Sequence, residues 1–212
     1  MDLALLRDKL AYQGLSLGAV AMLCAAALVV GNRLTREGIA KAEAADLAAS
    51  LAQVLPAGSS DNDLLNDTVK VGAGKTASGA DAGGTAPAVT VYRARKEGKV
   101  TGAVFRMAAR GYAGDIVVLM GVDTQGRLLG ARVVKHAETP GLGDKIEPAK
   151  SKWILDFDGK SLNDPPAEKW AVKKDGGVFD QFAGATITPR AVVKAVKSGL
   201  EFFAAHREEI LQ

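Results

Sequence analysis

Between Lys9 and Arg33 the chain carries no charge for 23 residues, and its centre, Leu15–Val30, reads LSLGAVAMLCAAALVV. Wound into a helix at 1.5 Å per residue, such a segment is about 35 Å long, enough to cross the hydrocarbon core of a bilayer with some tilt. A chain with this feature is either held in a membrane or exported with its leader removed. Arg7 and Lys9 would suit the basic start of a signal peptide. Against that reading, Val30-Gly31-Asn32-Arg33 offers no small-x-small cleavage site, and the pattern runs straight into a polar helix. Cys24 follows Leu23, not the small residue that lipid attachment wants, and is expected to be a membrane-buried thiol. The sequence predicts an uncleaved anchor, with its short tail, over residues 1–34. Basic residues flank it on both sides (Arg7 and Lys9 before; Arg33, Arg36 and Lys41 after), so charge alone leaves its orientation open.

Beyond the anchor the composition shifts three times. Residues 35–56 are rich in Ala, Glu, Lys and Leu, with Ile39, Leu47, Leu51 and Leu55 in a loose helical stripe; a membrane-proximal helix ending at Pro56 is expected. Residues 57–88 are mostly Gly, Ala, Ser, Thr and Asp and read as a flexible linker or loop. Within them Gly74-Lys75-Thr76 imitates a phosphate-binding loop, but Val69 stands where that loop needs its first glycine and no apolar strand leads in. Residues 89–212 form the folded domain. Val89–Ala94 with Val100–Met107, and Ile116–Val122 with Leu128–Val134, are expected as two adjacent antiparallel hairpins. A long irregular stretch follows, and Pro189–Ile210 repeats Ala191, Val192, Ala195, Val196, Gly199, Leu200 and Phe203 at helical spacing. The expected class is α+β: one transmembrane helix, then a small antiparallel sheet closed by a C-terminal helix.

Composition removes several functions. The 212 residues carry a net charge of +3 from interleaved acids and bases, without the basic stripe of a nucleic-acid binder. A single Cys and two distant His residues, His136 and His206, exclude an iron–sulfur ligand set and a Cys-rich zinc site; no metal is expected. With aromatics at 5%, the core is expected to be built from small aliphatic side chains.

Two segments carry chemical interest. In His136-Ala137-Glu138-Thr139-Pro140-Gly141-Leu142-Gly143-Asp144-Lys145, directly after a strand, Pro140 favours an extended Thr139 and the flanking glycines leave the backbone bare. Such a loop suits close approach to a flat ligand, but from these residues alone an ordinary tight turn is the preferred reading. In Asp180-Gln181-Phe182-Ala183-Gly184-Ala185-Thr186-Ile187-Thr188-Pro189-Arg190, Thr188 is the expected N-cap and Pro189 the first helical residue. Thr186 then lies just outside a helix N-terminus, where free N–H groups favour a phosphate that Arg190 could also reach. A plain capped helix fits those residues as well.

The order HAETPGLG then DQFAGATIT before a C-terminal helix, with one N-terminal span, Gly111-Tyr112-x-Gly114-x-Ile116 and the Gly121–Gly130 hairpin, resembles the FMN-binding domain of the G subunit of the Rnf electron-transport complex. The C subunit of the sodium-pumping NADH:quinone oxidoreductase has the same domain. The resemblance implies FMN joined by a phosphoester to Thr186, with Asp180, Gly184, Ala185 and Thr186 recognised by a flavin transferase. It also implies cofactor contacts from Glu138, Thr139, Gly141, Leu142, Gly143, Gly184, Ala185 and Thr188. Lys145 is a candidate charge near the flavin, and His136 and Glu138 candidates for orienting the loop. Ala183 departs from the family, which usually carries Ser or Thr there. The implied role is electron relay, with no catalytic residue of its own, in a ferredoxin:NAD-type, ion-translocating complex of the bacterial inner membrane. The soluble part would lie on the periplasmic side, near the FMN-bearing D subunit. Two alternatives stand beside it: a C-type subunit of the quinone reductase, and an unflavinylated assembly or regulatory module.

Overall fold

The computed structural model describes residues 10–56, 58–72 and 88–212. The chain divides between Asp46 and Leu47 into two compact units. Helix α1, Leu10–Gln53, begins in the first and ends in the second. It is the one helix among the described residues long and apolar enough to cross a membrane, with a mean hydropathy of 2.2 over its most apolar window. The expected anchor and membrane-proximal helix are therefore one continuous element. Ala- and Leu-rich sequence on both sides of Arg33 favours helix throughout, and no proline occurs before Pro56. The helix ends three residues ahead of that proline, in a turn closed by the Val54 N–H on the Leu51 carbonyl.

The second unit is built on a five-stranded antiparallel sheet in sequence order: β1 (Thr68–Val71), β2 (Val89–Lys96), β3 (Lys99–Arg110), β4 (Asp115–Asp123) and β5 (Leu128–Lys135). The expected hairpins are β2–β3 and β4–β5, and β3 pairs with β4 over its length from Gly102↔Asp123 to Arg110↔Asp115. Strand β1 falls inside the stretch read as linker. It is held by its register with β2 (Val69↔Val91), and by Asp67 just before it, which takes Arg93 at 2.6 Å and Arg95 at 2.5 Å. The Gly-rich run 73–87 lies outside the described residues.

Strand periodicity sorts side chains onto two buried faces. Ala103, Phe105, Met107 and Ala109 of β3 meet Ile116, Val118, Met120 and Val122 of β4 on one face. Helix α2 (Ile187–Leu211) packs there through Val192, Val196, Leu200 and Phe203. Gly199 lets it close in, since a Cβ there would overlap Met120 Sδ. On the other face Val104 and Leu119 are covered by Leu51 and Val54, with Leu47, Leu55, Leu64 and Leu65 around them. The paired Gly121 and Gly130 make a slot for this cover: a Cβ on Gly121 would overlap the Val54 carbonyl oxygen, and one on Gly130 would lie 3.1 Å from Val54 Cα.

Between β5 and α2 the chain runs through short 3₁₀ turns tied by an aromatic cluster. Phe157 stacks on Phe179 with ring centroids 4.4 Å apart, Trp153 meets Phe182 edge-on at 5.1 Å, and Trp170 abuts Phe179. The expectation of a purely small-aliphatic core is thus corrected: aromatics are few but gathered where regular backbone pairing is absent, and their large buried surface holds that stretch.

Candidate functional site

The two motifs, 50 residues apart between Glu138 and Thr188, converge on one cleft of about 250 Å³. Tyr112 lines it from the β3–β4 turn; Glu138, Thr139, Leu142 and Gly143 from the loop after β5; Gly184, Ala185 and Thr186 from the turn before α2; Ile187 and Thr188 from the helix's first turn. The loop is also a tight turn, for the Thr139 carbonyl accepts the N–H groups of Leu142 at 3.2 Å and Gly143 at 3.0 Å.

A buried carboxyl group joins the three walls. Glu138 is 5% exposed; its Oε1 accepts the Ala113 N–H at 3.1 Å, and its Oε2 accepts the hydroxyl of Thr188, which is 1% exposed. A Cβ on Gly111 would strike Glu138 Oε1 at 2.5 Å, and one on Gly143 would sit 2.8 Å from Glu138 Cβ. Both positions therefore need glycine for close approach. His136 supports the loop from behind. Its Nδ1 accepts the Glu138 N–H at 3.2 Å and its Nε2 contacts Glu147 Oε1 at 2.8 Å, so Nε2 carries the ring proton of the neutral form.

Helix α2 starts earlier than its sequence suggests. Thr186, not Thr188, is the N-cap; it has helical angles (φ −69°, ψ −28°) and its hydroxyl makes no cap hydrogen bond. Thr188 lies in the first turn with its hydroxyl drawn to Glu138, which is why it does not cap. Pro189 becomes the third helical residue, still in the turn where a missing N–H is tolerated. The N–H groups of Ile187 and Thr188 open the helix without intrahelical acceptors, at the positive end of the dipole and beside the Thr186 hydroxyl.

Other expected site residues fall elsewhere. Gly141 (φ +77°) shapes the turn but is not in the cleft lining. Asp180 is exposed, pairs with Lys173 at 2.5 Å, and its carbonyl accepts the Trp153 indole N–H at 2.9 Å. Lys145 is exposed and outside the lining. Arg190 is not turned to the cleft: its guanidinium grips Asp175 in a bidentate pair at 2.5 and 2.6 Å, which holds the Asp175 carboxyl below the usual range. Tyr112 and Ile187 line the cleft but are not among the expected cofactor contacts, although both lie in segments that carry the resemblance.

Residues 111–201, which contain every lining residue, match the FMN-binding domain family, and residues 8–54 match the RnfG N-terminal region. The G subunit of the ion-translocating oxidoreductase complex of Stutzerimonas stutzeri is 50% identical over 93% of this chain and 82% of its own length. That of Pseudomonas aeruginosa is 48% identical over 100% of this chain and 96% of its own. The chain belongs to this G-subunit family. Among solved structures, Shewanella oneidensis NqrC is similar over 59% of this chain and 62% of its own, at 28% identity and a TM-score of 0.47.

The cleft suits the cofactor after which the domain is named. One end offers a helix N-terminus and an uncapping hydroxyl for a phosphate. The same cleft exposes apolar side chains that suit a flat ring, Leu142 at 43% and Ile187 at 47%. Gly184 (φ +79°) holds the left-handed backbone conformation that favours glycine, and lies beside Leu142, whose Cδ2 a Cβ there would meet at an ordinary contact of 3.6 Å.

Proposed function

We propose that this chain is the single-pass inner-membrane subunit of an ion-translocating oxidoreductase complex that relays electrons through FMN esterified to Thr186 Oγ1. The observation that carries the reading is the Thr186 hydroxyl, free of a capping role, at the mouth of a helix N-terminus inside the cleft of an FMN-binding domain. FMN supplies the one- and two-electron chemistry. The chain's own part is to hold it: the Ile187 and Thr188 N–H groups take the residual negative charge of a phosphodiester, and Leu142 with the Thr139–Gly143 backbone forms the wall for the ring. Thr139, Gly143, Gly184, Ala185 and Thr188 contribute as lining, Gly141 by shaping the turn, and Glu138 by bracing it.

A cleft of about 250 Å³ is smaller than pockets that enclose a drug-sized ligand, typically ~300–1,000 Å³. A flavin held there would be only partly enclosed by this chain, which suits electron exchange with another protein. Ala183, where the family usually has Ser or Thr, is exposed and outside the lining, so its missing hydroxyl removes no lining group.

The surrounding assignments follow from this reading. A flavin transferase acting on Asp180, Gly184, Ala185 and Thr186 loads the cofactor, on the periplasmic side. The D subunit and other members of the complex are the electron-transfer and ion-translocating partners; α1 is the lipid-facing element that keeps this chain among them. The test is Thr186→Val, co-expressed with a flavin transferase. Wild-type chain should gain the mass of FMN less one water and give a fluorescent band after denaturation; the variant should fold and give neither. Covalent flavin in the variant overturns the assignment. A C-terminal alkaline phosphatase fusion should be active, and an inactive one overturns the periplasmic placement.

A further inference from the structure

Tyr112 presents an aromatic ring that the fold does not use. It is 68% exposed, packs into neither core cluster, and sits at the tip of the β3–β4 turn while lining the cleft. An exposed tyrosine on a loose loop would mean little, but this turn is fixed. The Gly111 N–H donates to the Gly114 carbonyl at 2.8 Å, and the Ala113 N–H donates to the buried Glu138 at 3.1 Å. Gly111 is wedged between Glu138 Oε1 and Ile116, where a Cβ would come within 2.8 Å of both, and Gly114 lies against Ala137. The same Glu138 takes the Thr188 hydroxyl, two residues beyond the proposed attachment point. One carboxyl group thus sets the spacing between the tyrosine and Thr186. Leu142 and Ile187 also line this cleft and expose apolar surface there.

We propose that Tyr112 is the residue that covers the open face of the flavin ring by stacking, and that Glu138 is the positioning residue that holds it there. This inference rests on the assignment of FMN to Thr186. A phenol ring prefers an offset stack on a flat aromatic partner to exposure in water, and its hydroxyl can remain solvated at the rim. The cover adds one aromatic side chain to a site otherwise lined by aliphatic and polar side chains and backbone.

Fluorescence reads this without activity, because a stacked phenol passes an electron to the photoexcited flavin and takes it back, quenching emission. Full-length protein, matured with a flavin transferase and purified in detergent, is compared as wild type, Tyr112→Phe and Tyr112→Leu. Emission of the native protein is divided by that of the same sample after denaturation, which corrects for flavin content, and iodide quenching measures access to the ring. Tyr112→Leu should raise the emission ratio about fivefold, the change in a stacking equilibrium expected from losing one aromatic face, and should increase iodide quenching. Tyr112→Phe, which keeps the cover but is a poor electron donor, should raise the ratio while iodide access stays at the wild-type level. A leucine variant with wild-type ratio and iodide access, its denatured band still fluorescent, overturns the proposal. If the leucine protein does not mature, a phenylalanine variant as dark as wild type overturns it equally. Absence of covalent flavin from wild type overturns the underlying assignment instead.

Discussion

Removing the Glu138 side chain tests the idea that one buried carboxyl group organises the cleft. Glu138→Ala leaves the Thr188 hydroxyl, 1% exposed, with no acceptor, at a cost of about 1–3 kcal/mol. The Ala113 N–H loses its acceptor too, but Ala113 is exposed and water can replace it, so that loss is about 0.5–1.5 kcal/mol. Together the substitution should destabilise the folded unit by about 2–4 kcal/mol. For a unit of this size that is roughly 2–4 °C per kcal/mol, hence a fall of about 10 °C in thermal midpoint. Glu138→Gln keeps an oxygen for Ala113 and an amide that can donate to Thr188 Oγ1, so its loss should stay near 1 kcal/mol. Tryptophan emission is a suitable probe for the detergent-solubilised, unflavinylated chain. Trp153 and Trp170 are the only tryptophans, and both are buried in the folded unit rather than in α1. If the alanine variant melts no lower than the glutamine one, Glu138 braces nothing and the reasoning fails.

Other substitutions probe separate features. Gly121→Ala drives a Cβ into the Val54 backbone oxygen and should lower stability by about 1–3 kcal/mol, with Gly130→Ala milder; equal, negligible shifts in urea midpoint would contradict the slot. Burial works to raise the Asp67 carboxyl, but hydrogen bonds and charge from Arg95 and Arg93 outweigh it and hold it below the usual range. A depressed carboxyl stabilises the fold above its unfolded value near 3.9, and that stabilisation is lost as pH falls through the folded value. The stability gap between wild type and Asp67→Asn should therefore close as pH drops below about 4, and a pH-independent gap would refute the linkage. Arg190→Ala removes only an exposed pair with Asp175, and should leave both thermal midpoint and flavin attachment unchanged; loss of attachment would show that the arginine serves the phosphate after all. Phe157→Leu, at the centre of the aromatic cluster, should cost about 2–3 kcal/mol, read as a lower urea midpoint.

What could be read from the sequence was local or periodic. The uncharged run announced α1, and β-branched alternation announced β2 to β5, because both signals repeat within one element. Strand β1 escaped notice: Thr68–Val71 spans four residues and becomes a strand only through β2. Both cleft motifs were visible as segments, but the contact between Glu138 and Thr188 spans 50 residues and leaves no mark in either. For the same reason Thr188 reads as a cap from its neighbours alone, whereas its hydroxyl goes to Glu138. Tyr112 lay in a recognisable turn whose destination only the sheet reveals.

Leu51 and Val54 belong at once to the final stretch leaving the long helix and to the cover over Val104 and Leu119. Anyone trimming this protein to a water-soluble piece therefore has a narrow place to cut. Truncation at Ala57, where the Gly-rich region begins, or at Val89, where the strands become obvious, would strip that cover and bare a greasy sheet surface. Starting ahead of Leu47 retains it.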